Sequence, residues 1–409
     1  MSVRFVTIVP HAENLELRKD PGQIPYQLGK LPGISTSLVT YYYTLKGGRN
    51  EGSVAIPPND PAQQHKDYPY LLTEVRDLNL NFLPNKGRGK FYEKSIFQYL
   101  LKNSTNIDVL NLFHFNSENI FYTFLYKLLH PKGKVYLKLD IDIPFYNQTK
   151  YFFNVNGRFR YLKILIFTKL IQPAFFRQVH TISAESKFGV DYFCKRFKVP
   201  LKKMLLLPNG VDENQISKSI SGIKSFGEKE NIIITVGRIG TRQKNNEMLL
   251  KALTAIDLTD WKVFFIGLVE ETFKPKIADF FKENPGKSDQ VFFTGYINSP
   301  EVLYQYYNKS KIFCLTSIDE GFPLSACEAA FFGNYLVLTD RIYCFDELTN
   351  NGEYGKKIQL NDTDQLASSL KNLIENPEIL QVTCEKIKAY AKANLTWQAI
   401  IPKLNKRLN

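Results

Sequence analysis

The stretch from Ser317 to Thr339, SIDEGFPLSACEAAFFGNYLVLT, leaves little freedom in its local fold. It follows a short apolar run, Ile312-Phe313-Cys314-Leu315, and closes on another, Tyr335-Leu336-Val337-Leu338. Each run has the length and composition of a buried strand. Between them stand an acidic turn, a proline and a small-residue run, Leu324 to Phe332, that reads as a helix. Pro323 is expected at the first helical position, where a missing N–H costs nothing. Gly333 is expected just past the helix end, where φ is often positive. The pattern predicts strand, turn, helix, glycine, strand: one unit of a parallel sheet.

The helix start matters most. Its first N–H groups lack intrahelical acceptors and carry partial positive charge. Gly321 and Ser325 let an anion approach the backbone, so this is a candidate phosphate seat. Two carboxylates bracket it, Glu320 on the turn and Glu328 about one turn inside the helix. They point at different parts of a ligand, and carboxylates beside a phosphate suit hydroxyl groups. An ordinary turn with a glutamate favouring the helix dipole has the same spacing.

Glu320 and Glu328, with seven residues between them and Gly321-Phe322-Pro323 after the first, resemble the E-x7-E motif of glycosyltransferase family 4. The flanks from Phe313 to Glu347 are similar to it as well. The family's enzymes are retaining, use nucleotide sugars and have the GT-B fold. The resemblance therefore implies an α/β chain with two Rossmann-like, doubly wound parallel-sheet domains facing across a cleft. It implies that Gly321, Phe322, Pro323, Leu324 and Ser325 line the donor site, that Glu328 grips ribose hydroxyls and that Glu320 orients the donor sugar.

A chain of 409 residues exceeds one ordinary core, which also favours two domains. With 44% hydrophobic and 23% charged residues it is globular. The net charge of +13 asks for an acidic partner: phosphate, an anionic membrane surface or nucleic acid. Nucleic acid is disfavoured because no binding motif accompanies the charge. The five cysteines are scattered without a C-x-x-C, as buried free thiols of a reducing compartment would be. The N-terminus reads as a first strand and no run reaches the length of a membrane span, so a cytoplasmic chain is expected.

Strands are expected at Phe5–Val9, Ser37–Tyr43, Tyr70–Val75, Val109–Phe113, Lys134–Leu139, Val179–Ser183 and Leu205–Leu207, with helices interspersed. Lys19 to Gln23 reads as a turn and Ile24 to Leu31 as a helix entered at Pro25. Gly22 resembles the family's glycine-bearing first loop, although the double glycine is missing. In a doubly wound sheet ligands sit at strand carboxyl ends, which selects His114, Lys138 and Asp140 as acceptor-side candidates. A packed structural histidine fits the His114 position equally well. Where family members commonly carry a histidine, this chain has Lys138-Leu139-Asp140. Asp140 and Asp142 form a D-x-D, but its flanks do not suit a metal, and none is expected.

From Lys150 to Lys203 there are twelve Lys and Arg against Glu185 and Asp191. On a helix Leu162, Leu165, Ile166, Lys169 and Leu170 form a mostly apolar stripe, suited to the inner face of an anionic membrane. A buried helix with snorkelling bases is the alternative.

Pro208-Asn209-Gly210-Val211-Asp212 resembles the family's domain junction, and Gln215 to Glu230 reads as a linker. The domains are expected at 1–214 and 215–390, with 391–409 returning to the first as a helix. In the second domain strands are expected at Asn231–Val236, Trp261–Ile266 and Val291–Thr294. Gly237 and Arg238 end the first of these, and Lys244 starts a helix through Leu253. Arg238 and Lys244 would hold the diphosphate, the pair resembling the family's Arg and Lys. Two fixed cations stabilise the charge that develops as a sugar leaves. Tyr296 and Ile297 resemble the segment that contacts the nucleotide base. Gln365 to Leu408 reads as two helices.

The combined expectation is a retaining glycosyltransferase with Glu320, Arg238 and Lys244 as catalytic residues. It would use a UDP- or GDP-sugar, no cofactor and a glycan or lipid-linked acceptor, in bacterial surface-polysaccharide synthesis. A catalytically inactive homologue partnering an active enzyme, and a GT-B-like epimerase or phosphorylase, are the alternatives.

Overall fold

The computed structural model describes residues 2–46, 49–54, 59–140 and 160–409. It divides into two compact units, the first formed by 1–207 with 401–409 and the second by 208–400. The division falls at Leu207/Pro208, earlier than the 214/215 boundary read from composition. The expected linker is instead folded into the second unit, as helix Glu213–Ser219 and the short turn Phe226–Glu228. Ile216 is buried there and Asp212 caps the helix by accepting from Asn214 N, so polar composition alone misled.

The described strands are β1 (Val3–Ile8), β2 (Ile34–Tyr41), β3 (Tyr43–Lys46), β4 (Arg49–Ser53), β5 (Leu80–Leu83), β6 (Val109–Phe113), β7 (Lys134–Leu139), β8 (Thr181–Ala184) and β9 (Met204–Leu206) in the first unit. The second has β10 (Ile232–Val236), β11 (Lys262–Ile266), β12 (Val291–Gly295), β13 (Ile312–Leu315), β14 (Tyr335–Thr339) and β15 (Gly355–Ile358).

The first unit's sheet runs β5-β2-β1-β6-β7-β8-β9, with every pairing parallel. β3 and β4 form a separate antiparallel ribbon. β6 and β8 are buried at every residue, which parallel strands covered on both faces require. The edge strand β5 is only half-buried throughout and was not among the expected strands, although Leu80 and Phe82 alternate with Asn79 and Asn81. The strand expected at Tyr70–Val75 is instead a short helix, Tyr70–Thr73. The turn expected at Lys19–Gln23 is the start of helix Asp20–Gly29, with Pro25 inside it. Gly22 lies buried in that helix, where an added Cβ would stand 2.3 Å from the Leu17 carbonyl oxygen. Its lack of a side chain thus serves helix packing.

The second unit's sheet runs β12-β11-β10-β13-β14-β15, also parallel throughout. Its strands split between two cores by alternation. Ile312 and Cys314 join one cluster, Phe313 and Leu315 the other. That two-residue period puts neighbours on opposite faces. Each fully buried apolar side chain contributes roughly 1.5–3 kcal/mol.

The strand–helix–strand unit read from Ser317–Thr339 is present, with its helix at Leu324–Phe331. Pro323 is one position earlier than expected, as the N-cap with extended φ and ψ. Gly333 has φ +80°, and an added Cβ would lie 3.0 Å from the Cys384 carbonyl oxygen. Both its conformation and its close approach to helix Pro377–Asn394 therefore require glycine. The C-terminal segment forms three helices rather than two, Thr363–Glu375, Pro377–Asn394 and Trp397–Leu408.

Candidate functional site

In the second unit the strand sequence runs outward from β10 to β12, then restarts beside β10 with β13 and runs the other way. Such a reversal opens a crevice at the carboxyl ends of the two central strands. The loops after β10 and β13 border it, and the sequence placed its two cations on the first and its glutamate on the second.

Backbone freedom shapes the β10 loop. Gly237 has φ +153°, and an added Cβ would stand 3.0 Å from Lys244 Cε. Gly267, at the end of β11, has φ +139° and comes so close that its Cβ would lie 1.8 Å from the Gly237 carbonyl oxygen. The loop therefore folds back on itself and brings Lys244 over Gly237. The β13 loop then locks it. Ile318 N donates to Gln243 O at 2.8 Å, Gln243 Nε2 donates to Asp319 O at 3.0 Å, and the Thr316 hydroxyl reaches Lys244 O and Asn245 O at 3.1 and 3.0 Å.

Lys244 Nζ donates to Glu320 Oε1 at 2.5 Å. The Ser317 hydroxyl donates to the same oxygen at 3.0 Å. The Glu320 backbone is fixed on both sides, its N–H on Arg341 O at 3.2 Å and its carbonyl taking Tyr343 N–H at 3.1 Å. Arg238 is exposed, with Nη2 on Gln243 Oε1 at 3.1 Å. The first bonds of helix Leu324–Phe331 run from Ala326 N and Cys327 N to Pro323 O, at 3.1 and 3.2 Å. The N–H groups of Leu324 and Ser325 therefore precede the ladder. Glu328 is half-buried in the same helix.

Lys244 and Glu320 are thus paired across the two loops at the switch point, Arg238 is tied to the first loop through Gln243, and the helix start follows Glu320 on the second. The arrangement offers two cations and a helix terminus to an anion, beside a carboxylate that can accept from hydroxyls. Phe322 is buried in the core. Tyr296 is exposed and Ile297 half-buried after β12, two strands from β10 along the same sheet edge. Gln243 and Ser317 escaped the sequence reading. Their signal was position alone, inside the two loops that flank the crevice.

In the first unit the strand order reverses between β1 and β6. At the carboxyl ends of β6 and of its neighbour β7, His114 and Asp140 are partly exposed, with Nδ1 and Oδ2 3.7 Å apart. Lys138 is fully buried, which corrects its expected contact with an acceptor. Its ammonium lies 3.1 Å from Glu185 Oε1, 3.3 Å from Asp20 Oδ2 and 3.7 Å from Asp140 Oδ1. Burial pulls the Lys138 ammonium down, but Glu185, Asp20 and Asp140 outweigh it and hold the group charged. Burial pushes Glu185 up to about 8 and Asp20 up to about 6, with Lys138 opposing both.

The Asp20, Asp140 and Glu185 carboxylates lie within 4.8 Å of one another, a spacing that a metal ion could use. The Lys138 ammonium already stands among them as the cation. Asp142 of the D-x-D lies outside the described residues, as does the 150–159 part of the basic segment. Asp20 and Glu185 were missed because their partner, a lysine inside a strand, gives no local pattern.

The rest of the basic segment is helical from Arg160 to Gln178, with a π-helical stretch at Phe167–Ile171. Tyr161, Leu162, Leu165, Ile166 and Leu170 are exposed and Phe167 is buried. The alternative of a buried helix therefore fails for this face. Among the described residues no helix is long and apolar enough to cross a membrane. Cys314, Cys327, Cys344 and Cys384 are buried free thiols and Cys194 is half-buried.

Residues 217–394 match the family model described as glycosyl transferases group 1. A Campylobacter jejuni protein, N-acetylgalactosamine-N,N'-diacetylbacillosaminyl-diphospho-undecaprenol 4-alpha-N-acetylgalactosaminyltransferase, is 25% identical over 225 residues, 55% of this chain and 59% of that protein. An uncharacterized glycosyltransferase of Haemophilus influenzae is 30% identical over 156 residues, 36% of this chain and 40% of that protein. The match thus spans little more than half the length of the first relative. Among solved structures, a glycosyltransferase from Rickettsia africae superposes with a TM-score of 0.68 at 14% identity, over 100% of this chain and 98% of that one. Anabaena HepE in complex with UDP gives 0.68 at 13% identity, over 100% and 99%. At such identities the likeness shows the fold, which is GT-B.

Proposed function

We propose that this chain, which carries a glycosyl transferases group 1 domain over residues 217–394, is a retaining glycosyltransferase that moves a sugar from a nucleoside diphosphate to a hydroxyl of a glycan or lipid-linked acceptor. The observation that carries the reading is the meeting of Lys244 and Glu320 at the switch point of the second sheet, with Arg238 and the Leu324 helix start beside them. The donor is a UDP- or GDP-sugar.

Arg238, Lys244 and the N–H groups of Leu324 and Ser325 hold the diphosphate and offset the charge that grows on its leaving oxygen. Glu328 takes the ribose hydroxyls, and Tyr296 and Ile297 flank the base. Glu320 orients the donor sugar and stabilises positive charge at the anomeric carbon. The acceptor oxygen bonds to that carbon on the face from which the phosphate departs. The carbon–phosphate oxygen bond breaks, and the acceptor proton passes to the leaving phosphate oxygen. The cationic pair does here the work a divalent ion does elsewhere.

The name of the first Campylobacter relative specifies a diphospho-undecaprenol-linked acceptor. An acceptor of that class, used in surface-polysaccharide synthesis, fits the exposed apolar and basic face at 161–170. That face would rest on the inner, anionic side of a membrane. The deciding experiment incubates the full chain with a panel of UDP- and GDP-sugars and lipid-diphosphate glycan acceptors and follows product by mass. Transfer from one donor is expected. Donor consumption that depends on inorganic phosphate, or epimerisation without transfer, would replace the reading. Nucleotide binding without turnover of any donor would point to an inactive partner subunit.

A further inference from the structure

We infer that His114 and Asp140, held from behind by the buried Lys138, form the group in the first unit that binds a hydroxyl of the acceptor sugar other than the attacking one, with His114 Nε2 as the atom that meets it. The inference rests on the transferase reading and adds to it the acceptor-binding atoms.

Place is the first ground. β6 is one of the two strands at which the order of the first sheet reverses, and His114 directly follows it. Asp140 directly follows β7, the next strand. A ligand crevice is expected at these carboxyl ends.

Conformation is the second. His114 has φ +67°, a left-handed backbone that glycine or asparagine adopts more readily. The surroundings hold it there. Its N–H donates to Lys138 O at 2.9 Å, and its carbonyl accepts from Asn119 Nδ2 at 3.0 Å. A partly exposed imidazole kept in such a backbone has more to offer a ligand than it gives the fold.

Charge is the third. Asp140 points one oxygen at Lys138 and the other at His114 Nδ1, each at 3.7 Å. Lys138 is enclosed by Asp20 and Glu185 as well and has no room to turn away. The row runs from a fixed buried cation through a carboxylate to an imidazole. Both separations are longer than a hydrogen bond, so the carboxylate acts on the imidazole through its charge alone, which favours the proton on Nδ1 and leaves Nε2 to accept. Nε2 has no protein partner among the described residues. An acceptor nitrogen backed by a carboxylate suits a sugar hydroxyl and repels phosphate. The sugar end of the acceptor therefore belongs here, and any lipid diphosphate belongs elsewhere. Lys138 touches no ligand and acts as a positioning residue.

The test uses the full chain with the donor and acceptor identified by the panel above. His114→Asn keeps a residue that tolerates the left-handed backbone and removes the imidazole. Asp140→Asn keeps the shape of a half-exposed side chain and removes its charge. Each should lower kcat/KM for the acceptor by about twofold to tenfold, the loss or weakening of one neutral hydrogen bond. Nucleoside diphosphate affinity and acceptor-independent donor hydrolysis should stay unchanged. Lys138→Met, read only if its melting curve shows a folded chain, should raise KM for the acceptor more than it lowers kcat. Wild-type acceptor kinetics in His114→Asn overturn the inference alone. Equal losses of donor hydrolysis and transfer also overturn it, because they mark a structural role. A wild-type chain that binds no nucleoside diphosphate and turns over no donor overturns the transferase reading and this inference with it.

Discussion

Lys244 and Glu320 form a nearly enclosed ion pair, Nζ to Oε1 2.5 Å, with side chains 14% and 13% exposed. The pair joins the loop after β10 to the loop after β13, across the point where the strand order reverses. An ammonium has three N–H donors. One is committed to Glu320, which fixes the direction of the other two, and preorganised donors of this kind stabilise a leaving diphosphate.

Replacing either cation should weaken nucleotide binding. Lys244→Ala and Arg238→Ala each remove a charge-assisted bond worth roughly 1.5–3 kcal/mol. UDP or GDP affinity, measured by calorimetry, should fall by about tenfold or more. Equal affinity in Lys244→Ala would take the diphosphate away from this crevice.

Removing the carboxylate should separate binding from chemistry. Glu320→Ala frees the Lys244 ammonium, so nucleoside diphosphate affinity is expected to hold or rise. Sugar transfer should be lost almost entirely, because the group proposed to orient the donor is gone. Comparing calorimetry with product formation in one preparation decides between these outcomes.

Gly267 should not tolerate a side chain. Its φ of +139° and the 1.8 Å separation of an added Cβ from Gly237 O leave no room. Gly267→Ala is expected to destabilise the chain by at least about 2 kcal/mol. It should also move the β10 loop and abolish nucleotide binding. Chemical denaturation and a titration with UDP check both.

Stability should decline with rising pH through the cluster in the first unit. Burial pushes Glu185 up to about 8 and Asp20 up to about 6, beside Lys138, Asp140 and Tyr136. Their raised values mean that the folded state holds protons the unfolded chain releases. The stabilisation is complete below the ordinary carboxyl range and is lost as pH rises through about 6 to 8. The thermal midpoint should therefore be higher at pH 5 than at pH 8.5. Glu185→Gln, which cannot ionise, should flatten that difference.

Membrane docking should depend on the exposed apolar face. Liposomes with anionic lipid should co-sediment the wild-type chain, and neutral liposomes should retain much less of it. Leu165→Glu with Leu170→Glu should abolish binding without loss of fold, since both side chains face solvent. Binding that ignores lipid charge would remove the basic face from the interaction.

Local chemistry made much of the second unit legible. The apolar runs Ile312–Leu315 and Tyr335–Leu338 announced strands because a parallel sheet covered on both faces needs continuous burial. Pro323 and Gly333 punctuated the helix between them, and Arg238, Lys244, Glu320 and Glu328 were chosen from their place beside those elements together with the family resemblance. The strand β5 was missed and the helix Tyr70–Thr73 was read as a strand, because a short helix can be rich in β-formers.

Sequence alone thus determined the parallel α/β architecture and the strand–turn–helix at Ser317–Thr339. It could do so because strand burial and helix ends are written within a few residues of one another. Only the tertiary structure decided that Glu320 grips Lys244, that Gly267 presses on Gly237 and that Lys138 sits buried among Asp20, Asp140 and Glu185. Those relations join residues as much as 165 positions apart, and they depend on which strands lie side by side, a choice that no local pattern encodes.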